Sequence, residues 1–239
     1  MKKPLGIIIP VYNEGENIGT TIRAIEANIK TPHTIHIVYD FEEDDTLPPA
    51  MMIAKEGVDI VFIKNPVRGV VGAIKEGLGK AKGEYLLVTM ADMSDDYTVV
   101  DRMCELMKDG FDVVCGSRYM PGGRQVGGPL IKKTISRIVG LSLKYLAGIP
   151  THDATNSFKL YRRSMLGEMT VESDGGFEIG IEVVTKAHFS GYKVTELPCT
   201  WIDRDKGESR FKVIGWAPNY LKWYFYAFRH AFFKKKGRR

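Results

Sequence analysis

The segment Glu84-Tyr-Leu-Leu-Val-Thr-Met-Ala-Asp-Met-Ser-Asp-Asp96 joins an apolar run to a cluster of carboxylates. The apolar run, residues 85–89, is short and bounded by polar residues, which is typical of a buried strand. In open α/β sheets, ligands bind at the carboxyl ends of such strands, and carboxylates there suit a hard divalent cation with its phosphates. Aspartates in this position also cap a following helix. The segment therefore predicts a strand that leads into a cation site or into a capped helix.

The regions on either side alternate between strand and helix patterns. Strands are predicted at residues 5–11, 35–39, 59–64, 85–89 and 111–115, and helices at 17–29, 47–56, 70–81 and 95–109. The second half adds helices at 130–146 and 177–189 and strands at 154–161 and 194–202. Strand and helix alternating at short spacing predict an α/β fold with a mainly parallel, Rossmann-like sheet in three layers.

Length and composition are typical of one large domain with an appendage. The chain has 239 residues, of which 44% are hydrophobic, and we predict a catalytic domain at residues 1–212 and a tail at 213–239. Three cysteines without a CxxC pair indicate buried thiols, not a disulfide framework or a zinc site. The apolar stretch near the N-terminus is short and broken by Pro4 and Pro10, so we expect a cytoplasmic protein without a signal peptide.

The positive charge is concentrated in the tail. From Ile214 onward there are seven Lys or Arg residues and no acids, and subtracting these from the net charge of +5 leaves −2 for the first 213 residues. A nucleic-acid-binding domain would carry its basic residues across the domain, so this distribution favours a local anionic partner instead.

Aromatic residues are also concentrated in the tail. Nine of them lie between Trp216 and Phe233, and Lys222 and Arg229 interrupt the segment. An uncharged run therefore falls short of the ~20 residues of a membrane span. Aromatic side chains with flanking cations suit the headgroup layer of an anionic membrane. The alternative is a helix packed on the domain or in a dimer interface, and the two interpretations are compatible on different helix faces.

Six motifs in order give the chain a family resemblance. Ile9-Pro-Val-Tyr-Asn-Glu14 resembles the opening of the family 2 glycosyltransferases, which have the GT-A fold. Further motifs are similar to those of the dolichol-phosphate mannose synthase branch, which includes polyprenyl-phosphate sugar transferases. These motifs are Gly116-Ser-Arg-Tyr119, Gly122-Gly123, Ser136-Arg137, Asp153-Ala-Thr-Asn-Ser-Phe-Lys-Leu-Tyr161, and Asp203-Arg204 with Gly207-Glu-Ser-Arg-Phe211. The likeness runs from about residue 5 to residue 211.

The resemblance implies a nucleotide-sugar site at the ends of the first strands. It assigns nucleotide contacts to Pro10, Tyr12, Glu14, Asp40, Arg68, Ala91 and Asp92. Where the family has Val-Asp-Asp-Gly-Ser, this chain has Val-Tyr-Asp-Phe-Glu, so Tyr39 replaces the first aspartate and Asp40 remains.

The resemblance also implies a divalent metal held on the donor diphosphate. Asp92 and Ser94 are the implied metal residues, and Asp95 and Asp96 are left as helix caps. The family pattern is Asp-Ala-Asp, whereas this chain has Met90-Ala-Asp92. A thioether is a poor ligand for Mg²⁺ or Mn²⁺. We therefore expect a weaker metal site, with a metal-independent or inactive relative as the rival interpretation.

A polyprenyl phosphate acceptor is already anionic, so it needs cations more than a general base. Arginine presents a fixed fork of donors to phosphate. The resemblance places the catalytic residues at Asp92, Arg118, Arg204 and Arg210, and the acceptor-phosphate residues at Arg118, Arg137, Ser209 and Arg210. Arg204 and Arg210 lie in a glycine-containing loop, and the equivalent loop closes over the donor in relatives.

A hydroxyl acceptor would instead require a carboxylate base, for which Asp174 and Glu178 are available. Asp153 is expected to organise a loop on the acceptor side.

The sequence thus predicts an inverting glycosyltransferase that is peripheral on the cytoplasmic face of the membrane. It would move a mannose- or glucose-type hexose from a nucleotide sugar to dolichyl or undecaprenyl phosphate, with no nucleic-acid partner and with homo-oligomerisation left open. The alternatives are transfer to a glycan hydroxyl in surface polysaccharide assembly, and a degenerate relative that binds nucleotide or lipid.

Overall fold

The computed structural model describes residues 3–203 and 213–236, with side chains of the last helix described for residues 217–233. Its strands are β1 (Leu5–Pro10), β2 (His33–Tyr39), β3 (Ile60–Lys64), β4 (Tyr85–Val88), β5 (Val113–Ser117), β6 (Arg124–Val126), β7 (Lys159–Arg162), β8 (Val194–Pro198) and β9 (Thr200–Ile202). Its helices are α1 (Gly15–Asn28), α2 (Leu47–Lys55), α3 (Val70–Lys80), α4 (Val100–Lys108), α5 (Leu130–Ala147), α6 (Arg163–Gly167), α7 (Ile179–Phe189) and α8 (Val213–Lys236).

Seven strands form the central sheet in the order β3-β2-β1-β4-β7-β5-β8. Neighbouring strands are parallel except at β7, which lies antiparallel between β4 and β5. Leu5 of β1 pairs with His33 of β2 on one side and with Tyr85 of β4 on the other. The carboxyl ends of these three strands therefore meet at one edge of the sheet, and the loops that follow them lie together there.

Helices cover both faces of the sheet, because successive side chains of a buried strand point to opposite faces. Ile7 and Ile9 of β1 pack with α1, α2 and α4, whereas Ile8 packs in the other cluster with α3, α5, α7 and α8. All three isoleucines are fully buried, and each contributes about 1.5–3 kcal/mol by that burial. The predicted three-layer α/β fold with a mainly parallel sheet is confirmed.

Two predicted strands differ from the observed ones. The segment predicted at 154–161 forms a strand only from Lys159, because side chains hold its first half as a loop: Asn156 donates its backbone N–H to Asp153 at 3.2 Å and its side-chain amide to the Gly116 carbonyl at 3.0 Å. The segment predicted at 194–202 is two strands in different sheets, since β8 ends at Pro198 and β9 pairs with β6 in a separate two-stranded sheet.

The helix predicted from residue 95 begins later than expected. A 3₁₀ turn, Tyr97–Val99, comes first, and Asp96 caps it by accepting the N–H of Thr98 at 3.2 Å. α4 then begins at Val100, and Met103 and Met107 face the core. The region between β4 and α4 is therefore longer than the sequence pattern indicates.

α8 is part of the packed domain on one face and exposed on the other. Trp223 and Ala227 are buried in the core cluster that α5 and α7 also line. Phe225 and Phe232 point away from that core and are about 60% exposed, at 62% and 59%. Within residues 3–203 and 213–236, no helix combines the length and the apolar character that crossing a bilayer requires.

Candidate functional site

The loop that follows β4 is fixed from two sides at the carboxyl edge of the sheet. Thr21 of α1 donates its hydroxyl to the carbonyl oxygen of Ala91 at 2.7 Å, and both residues are buried. On the other side, the backbone N–H of Ile202 in β9 donates to the carbonyl oxygen of Ser94 at 3.0 Å. Between them Met93 has a φ of 60°, which is uncommon for a residue other than glycine. The loop therefore has a defined conformation and forms a platform at the edge of the sheet.

Asp92 and Ser94, the two predicted metal residues, are adjacent on this platform. The backbone N–H of Ser94 donates to Oδ1 of Asp92 at 3.2 Å, and Ser94 is buried while Asp92 is partly buried. Within the described residues, no group of three His, Cys, Asp or Glu side chains is arranged to hold a metal ion. Mg²⁺ at phosphate sites commonly takes one or two carboxylates and draws other ligands from the substrate and water. A donor set of Asp92 and Ser94 fits that mode.

Met90 is not suited to bind a metal ion. Its side chain is half-buried against the core cluster that includes α3, α5, α7 and α8, and it lines an apolar cavity described below. Sulfur of a thioether is a soft ligand, whereas Mg²⁺ and Mn²⁺ prefer oxygen. At the position where the family pattern has an aspartate, this chain therefore has a side chain that forms part of the cavity wall.

Asp95 does not cap the helix, contrary to the sequence-based expectation, whereas Asp96 does. Oδ2 of Asp95 accepts the hydroxyl of Thr89 at 2.7 Å and the backbone N–H of Met90 at 3.3 Å. Burial, together with the nearby charge of Asp92, raises the pKa of Asp95 to about 7. Asp95 turns inward because the 3₁₀ turn places it against the end of β4, where it braces the loop.

Two aromatic rings and a cation form an exposed surface at the ends of β1 and β2. The rings of Tyr12 and Phe41 meet edge to face with centroids 5.4 Å apart, and the guanidinium carbon of Arg68 lies 5.9 Å from the Phe41 centroid. Tyr12 remains 47% exposed. Aromatic faces of this kind stack on nucleobases. Phe41 was not among the predicted site residues, although its position beside Asp40 in the altered family motif is a signal for it.

The loop that carries Tyr12 and Glu14 is held by the loop before α2. Asp44 accepts the backbone N–H of Asn13 at 3.1 Å, and the hydroxyl of Thr46 accepts that of Glu14 at 2.9 Å. Asp44 and Thr46 are buried, so solvent is excluded from these two acceptors. Pro10 ends β1 just before this loop, so the predicted nucleotide contacts of β1 lie at the same edge as Ala91 and Asp92.

Asp40 is engaged within the protein. Its Oδ1 accepts the side-chain amide of Asn65 at 2.7 Å, and its Oδ2 accepts the backbone N–H of Gly69 at 2.9 Å. Gly69 has a φ of 112°, a conformation that glycine adopts readily and other residues do not. Asp40 therefore orders the loop that presents Arg68.

Arg118 is held in a buried ion pair with Asp153. Nε of Arg118 donates to Asp153 Oδ2 at 2.6 Å and Nη2 donates to Oδ1 at 3.0 Å, and Nη2 also contacts the hydroxyls of Ser136 and Thr155, each at 3.1 Å. Burial opposes ionisation of the guanidinium, but the attraction of Asp153 outweighs it and raises the pKa of Arg118. Among the described residues, none accepts a hydrogen bond from Nη1, which stays available to a ligand.

Asp153 organises its loop, as predicted. It accepts hydrogen bonds from Arg118, from the hydroxyl of Thr155 at 2.9 Å and from the backbone N–H of Asn156 at 3.2 Å. The carboxylate is fully buried. One aspartate therefore joins β5, which leads into Arg118, to the loop before β7.

Two cavities adjoin at Arg118 and Tyr119. One, of about 630 Å³, is here called the cationic cavity, because the described residues that line it include Arg118, Arg124, Lys133 and Arg137 but no carboxylate. The other, of about 390 Å³, is here called the apolar cavity; its walls come from the loop after β4, from α5, β9 and α8, and include Met90, Ile135, Val139, Phe177, Trp201, Tyr220 and Leu221. Arg137 belongs to a motif quoted above, whereas Arg124 and Lys133 stand outside the quoted motifs and were not predicted.

The two predicted alternative bases are placed differently. Asp174 is exposed, whereas Glu178 is fully buried at the start of α7. Oε1 of Glu178 accepts the backbone N–H of Gly175 at 2.8 Å, and within the described residues Oε2 is buried without a hydrogen-bond partner. Neither carboxylate lines either cavity.

Part of the predicted acceptor site lies outside the described residues. Arg204, Ser209 and Arg210 fall in the segment between residues 203 and 213. The structure therefore brings together Arg118 and Arg137 of the predicted acceptor set, and it places Asp92 and Ser94 on the neighbouring loop after β4.

Comparison with known proteins agrees with the resemblance noted in the sequence. Residues 6–170 match the model of glycosyl transferase family 2. Similar proteins include the dolichol-phosphate mannosyltransferase of Pyrococcus furiosus, which is 29% identical over 213 residues, 87% of this chain and 59% of that protein. The polyprenol monophosphomannose synthase of Mycolicibacterium smegmatis is 28% identical over 227 residues, 88% of this chain and 85% of that protein. The undecaprenyl-phosphate mannosyltransferase of Micrococcus luteus is 28% identical over 225 residues, 90% of this chain and 92% of that protein.

A solved structure supports the fold assignment. The glucosyl-3-phosphoglycerate synthase of Mycobacterium tuberculosis, in complex with Mn²⁺, UDP and glucosyl-3-phosphoglycerate, superposes with a TM-score of 0.69 over 94% of this chain and 80% of that one. The sequences are 14% identical, so the comparison shows a shared fold. The chain spans 59% of the Pyrococcus protein, so it corresponds to part of that relative.

Proposed function

The chain belongs to glycosyl transferase family 2, and we propose that it transfers a hexose from a nucleotide sugar to a polyprenyl phosphate. The pair of adjoining cavities, one cationic and one apolar, carries the proposal. A polyprenyl phosphate has the same two parts, an anionic head and an apolar chain. The names of the similar mannosyltransferases support a dolichyl or undecaprenyl phosphate as acceptor and mannose as the transferred hexose, and a glucose-type hexose is the alternative that we propose from the sequence resemblance.

The donor would lie along the carboxyl edge of β1, β2 and β4. We propose that its base contacts the exposed ring of Tyr12 beside Phe41 and that Arg68 approaches the nucleotide from the loop that Asp40 orders. Pro10, Glu14 and Ala91 complete the proposed nucleotide contacts. The diphosphate would then reach the loop after β4, where Asp92 is partly buried.

Asp92 and Ser94 would hold Mg²⁺ or Mn²⁺ at the diphosphate. When bound, the cation neutralises negative charge on the departing nucleoside diphosphate. Because Met90 supplies no oxygen, we propose weaker metal binding than a pair of carboxylates would give. The loop is hydrogen-bonded from opposite sides by Thr21 and Ile202.

The transfer needs one displacement. An oxygen of the acceptor phosphate attacks C1 of the sugar, the bond from C1 to the donor phosphate oxygen breaks, and its electron pair leaves with the nucleoside diphosphate. The configuration at C1 is inverted. Because the acceptor is already anionic, no proton has to be removed. We propose that Arg118 and Arg137 orient the acceptor phosphate, together with Arg204, Ser209 and Arg210 of the undescribed segment.

Such an acceptor resides in a membrane, so we propose that the enzyme works as a peripheral protein at the cytoplasmic face. The exposed side of α8, with Phe225, Arg229 and Phe232, supports contact with an anionic bilayer surface. Its inner side is packed in the core through Trp223. The packed-helix interpretation therefore describes the inner side of α8, and we propose membrane contact for its outer side.

A transfer assay tests the proposal. The protein would be incubated with radiolabelled nucleotide sugars, undecaprenyl phosphate and Mn²⁺, Mg²⁺ or chelator, followed by organic extraction. Label in the organic phase, lost in chelator, supports the proposal. Label that appears only on a water-soluble glycan contradicts it. Nucleotide binding without turnover contradicts it as well. That result is expected for a degenerate relative that has lost its metal site because Met90 replaces an aspartate.

Transfer to a glycan hydroxyl remains a second candidate because of Glu178. Its Oε2 is buried without a partner among the described residues, although Glu178 lines neither cavity, and a base must come within hydrogen-bond reach of the acceptor hydroxyl. Loss of glycan labelling in Glu178→Gln, with no effect in the exposed Asp174→Asn, would favour this candidate. Unchanged activity of Glu178→Gln on lipid phosphate would exclude a role as base in that reaction.

A further inference from the structure

The cationic cavity extends along α5. It is lined by Lys133, Arg137, Leu141 and Tyr145, whose spacing of four residues places them along one side of the helix. A helix rises about 1.5 Å per residue, so the backbone from Lys133 to Tyr145 covers about 18 Å. Lys133 also lines the apolar cavity, whereas Tyr145 does not. The cationic cavity therefore has an inner end at Lys133, beside the apolar cavity, and an outer end at Tyr145.

His152 is fixed at the outer end by a carboxylate. Its Nδ1 lies 2.6 Å from Oε1 of Glu196, and its backbone N–H donates to Oε2 at 2.7 Å. Lys144 and Thr151 donate to the same carboxylate, each at 3.1 Å, and Glu196 does not line the cavity. A carboxylate only accepts hydrogen bonds, so Nδ1 carries the hydrogen and Nε2 is left with a lone pair. The hydroxyl of Tyr145, 3.2 Å away, marks the direction of that lone pair.

Two arginines of the cavity have no ion pair among the residues that the structure describes. Arg124 of β6 and Arg137 of α5 are exposed, they line the cationic cavity and not the apolar one, and neither is paired with a described carboxylate. Arg118 differs, because Asp153 neutralises its charge. Positive charges that share one cavity repel each other and attract an anionic ligand. The outer part of the cavity therefore combines positive charge with one hydrogen-bond acceptor, Nε2 of His152.

We propose that the outer end of the cationic cavity is a binding site for inorganic phosphate, formed by Arg124, Tyr145 and His152. At neutral pH inorganic phosphate is an anion that keeps at least one O–H group, and this group donates to Nε2 of His152. The hydroxyl of Tyr145 then donates to a second oxygen, and the guanidinium of Arg124 supplies charge-assisted hydrogen bonds. Tyr145 is 70% exposed, so the ligand enters from solvent. The inference goes beyond the proposed function and does not depend on it.

The lone pair of Nε2 makes the site selective among anions. Sulfate has no O–H group at neutral pH, and a phosphate monoester has lost most of its own, because its second pKa is about 6. Both would bring an oxygen lone pair to Nε2 of His152, where inorganic phosphate brings a hydrogen. A site that hydrogen-bonds one group of a ligand rejects an analogue that lacks this group. The expected order of affinity is therefore inorganic phosphate first, with sulfate and glycerol phosphate well below it.

A phosphate at the outer end is compatible with the proposed acceptor phosphate at the inner end. The two ends are about 18 Å apart along α5, and at physiological ionic strength exposed charges more than about 8 Å apart are largely screened from each other. The outer site therefore stays occupied when the acceptor is bound.

Calorimetric titration of the full chain with sodium phosphate tests the proposal, with and without a saturating short-chain, water-soluble polyprenyl phosphate. The variants are His152→Asn, which keeps a donor for Glu196 but lacks Nε2, and Tyr145→Phe, which loses only the hydroxyl. The matched control is Tyr192→Phe, whose hydroxyl donates to Glu168 at 2.6 Å outside both cavities. Thermal unfolding of each protein confirms that the fold is retained.

Each variant of the outer end is expected to bind phosphate at least about fivefold more weakly than wild type, whereas Tyr192→Phe binds like wild type. Wild type is expected to bind sulfate and glycerol phosphate at least about fivefold more weakly than phosphate, and to keep its phosphate when the short-chain acceptor is added. Wild-type affinity in His152→Asn would overturn the proposal. Equal affinity for phosphate and either other anion, or loss of phosphate on addition of the acceptor, would overturn it as well.

Binding and turnover separate this proposal from the proposed function, because calorimetry does not require transfer. A wild type that transfers label to the short-chain acceptor but binds no inorganic phosphate keeps the function and removes the site. A wild type that binds phosphate through His152 and Tyr145 but transfers no label keeps the site and removes the function.

Discussion

Substituting Asp153 with Asn removes one charge from the buried pair that holds the wall shared by both cavities. Asp153 is fully buried and accepts Nε of Arg118 at 2.6 Å, Nη2 at 3.0 Å and the backbone N–H at 3.1 Å. An asparagine of the same shape offers one acceptor oxygen and turns an N–H group towards the guanidinium. Removing one member of a buried pair costs about 3–5 kcal/mol, because the remaining charge stays buried without compensation.

Thermal unfolding followed by far-ultraviolet circular dichroism measures this cost. For a chain of this size, 1 kcal/mol shifts Tm by roughly 2–4 °C, so we expect Asp153→Asn to lower Tm by roughly 6–20 °C. The matched control is Asp59→Asn, which removes an exposed pair with Lys3 at 2.8 Å that contributes about 0.2–1 kcal/mol. A Tm for Asp153→Asn no lower than that of Asp59→Asn would refute the reasoning.

The same pair gives the stability a defined pH dependence. Burial raises the pKa of Asp153, but the attraction of Arg118 and its hydrogen bonds outweighs burial and holds the pKa below the ordinary 3.8. The stabilisation is therefore fully present above the unfolded pKa and is lost as the carboxylate is protonated below about pH 4. We expect the difference in Tm between wild type and Asp153→Asn to shrink as the pH falls through this range; a constant difference would contradict the role of charge.

Three other predictions follow from local geometry. A Cβ at Gly140 would lie 2.2 Å from the His152 carbonyl oxygen, so Gly140→Ala is expected to lower the free energy of unfolding in urea by about 1–3 kcal/mol. Gly79→Ala, with open space around its Cβ, should be neutral or stabilising. Equal effects of the two substitutions would contradict the packing of α5. Phe41→Ala is expected to weaken nucleoside diphosphate binding, measured by calorimetry, at least about fivefold because a stacking surface is lost. Phe41→Trp should retain binding. Unaltered affinity in the alanine variant would show that Phe41 does not contact the nucleotide. Met90→Asp is expected to lower the Mn²⁺ concentration for half-maximal transfer because it adds an oxygen ligand, and an unchanged requirement would place the cation elsewhere.

The layers and the donor edge of this fold are predictable from the sequence because they depend on local patterns. Alternation of strand and helix, with buried isoleucines such as Ile7 and Ile9 in β1, determines a sheet covered on both faces. Parallel strands end at one edge, so Tyr12, Asp40 and Asp92 can be placed near one another from order alone.

The insertion of β7 between β4 and β5 is not predictable in the same way. It depends on pairing between residues far apart in sequence, as when Val88 pairs with Lys159 in β4 and β7. The same applies to the small sheet of β6 and β9, in which Gln125 pairs with Trp201. Short strands carry little pattern of their own, and tertiary pairing decides whether they form.

The candidate site is only partly predictable because several side chains serve the protein instead of a ligand. The motif around Arg118 predicts a phosphate residue, but Asp153 and the hydroxyls of Ser136 and Thr155 occupy two of its nitrogens. Asp95 was expected to cap a helix, and it braces Thr89 instead. A motif indicates which residues approach a site; the hydrogen bonds within the fold decide which atoms remain for the substrate.

The most direct test of the central claim is transfer of label from a nucleotide sugar to undecaprenyl phosphate by wild type and by Asp92→Ala. The account predicts label in the organic phase for wild type, none for Asp92→Ala, and wild-type transfer by Asp109→Ala, a matched change at an exposed aspartate beyond α4. Full activity of Asp92→Ala would contradict the donor-site assignment, and the absence of organic-phase label from wild type with every nucleotide sugar would contradict the proposed function.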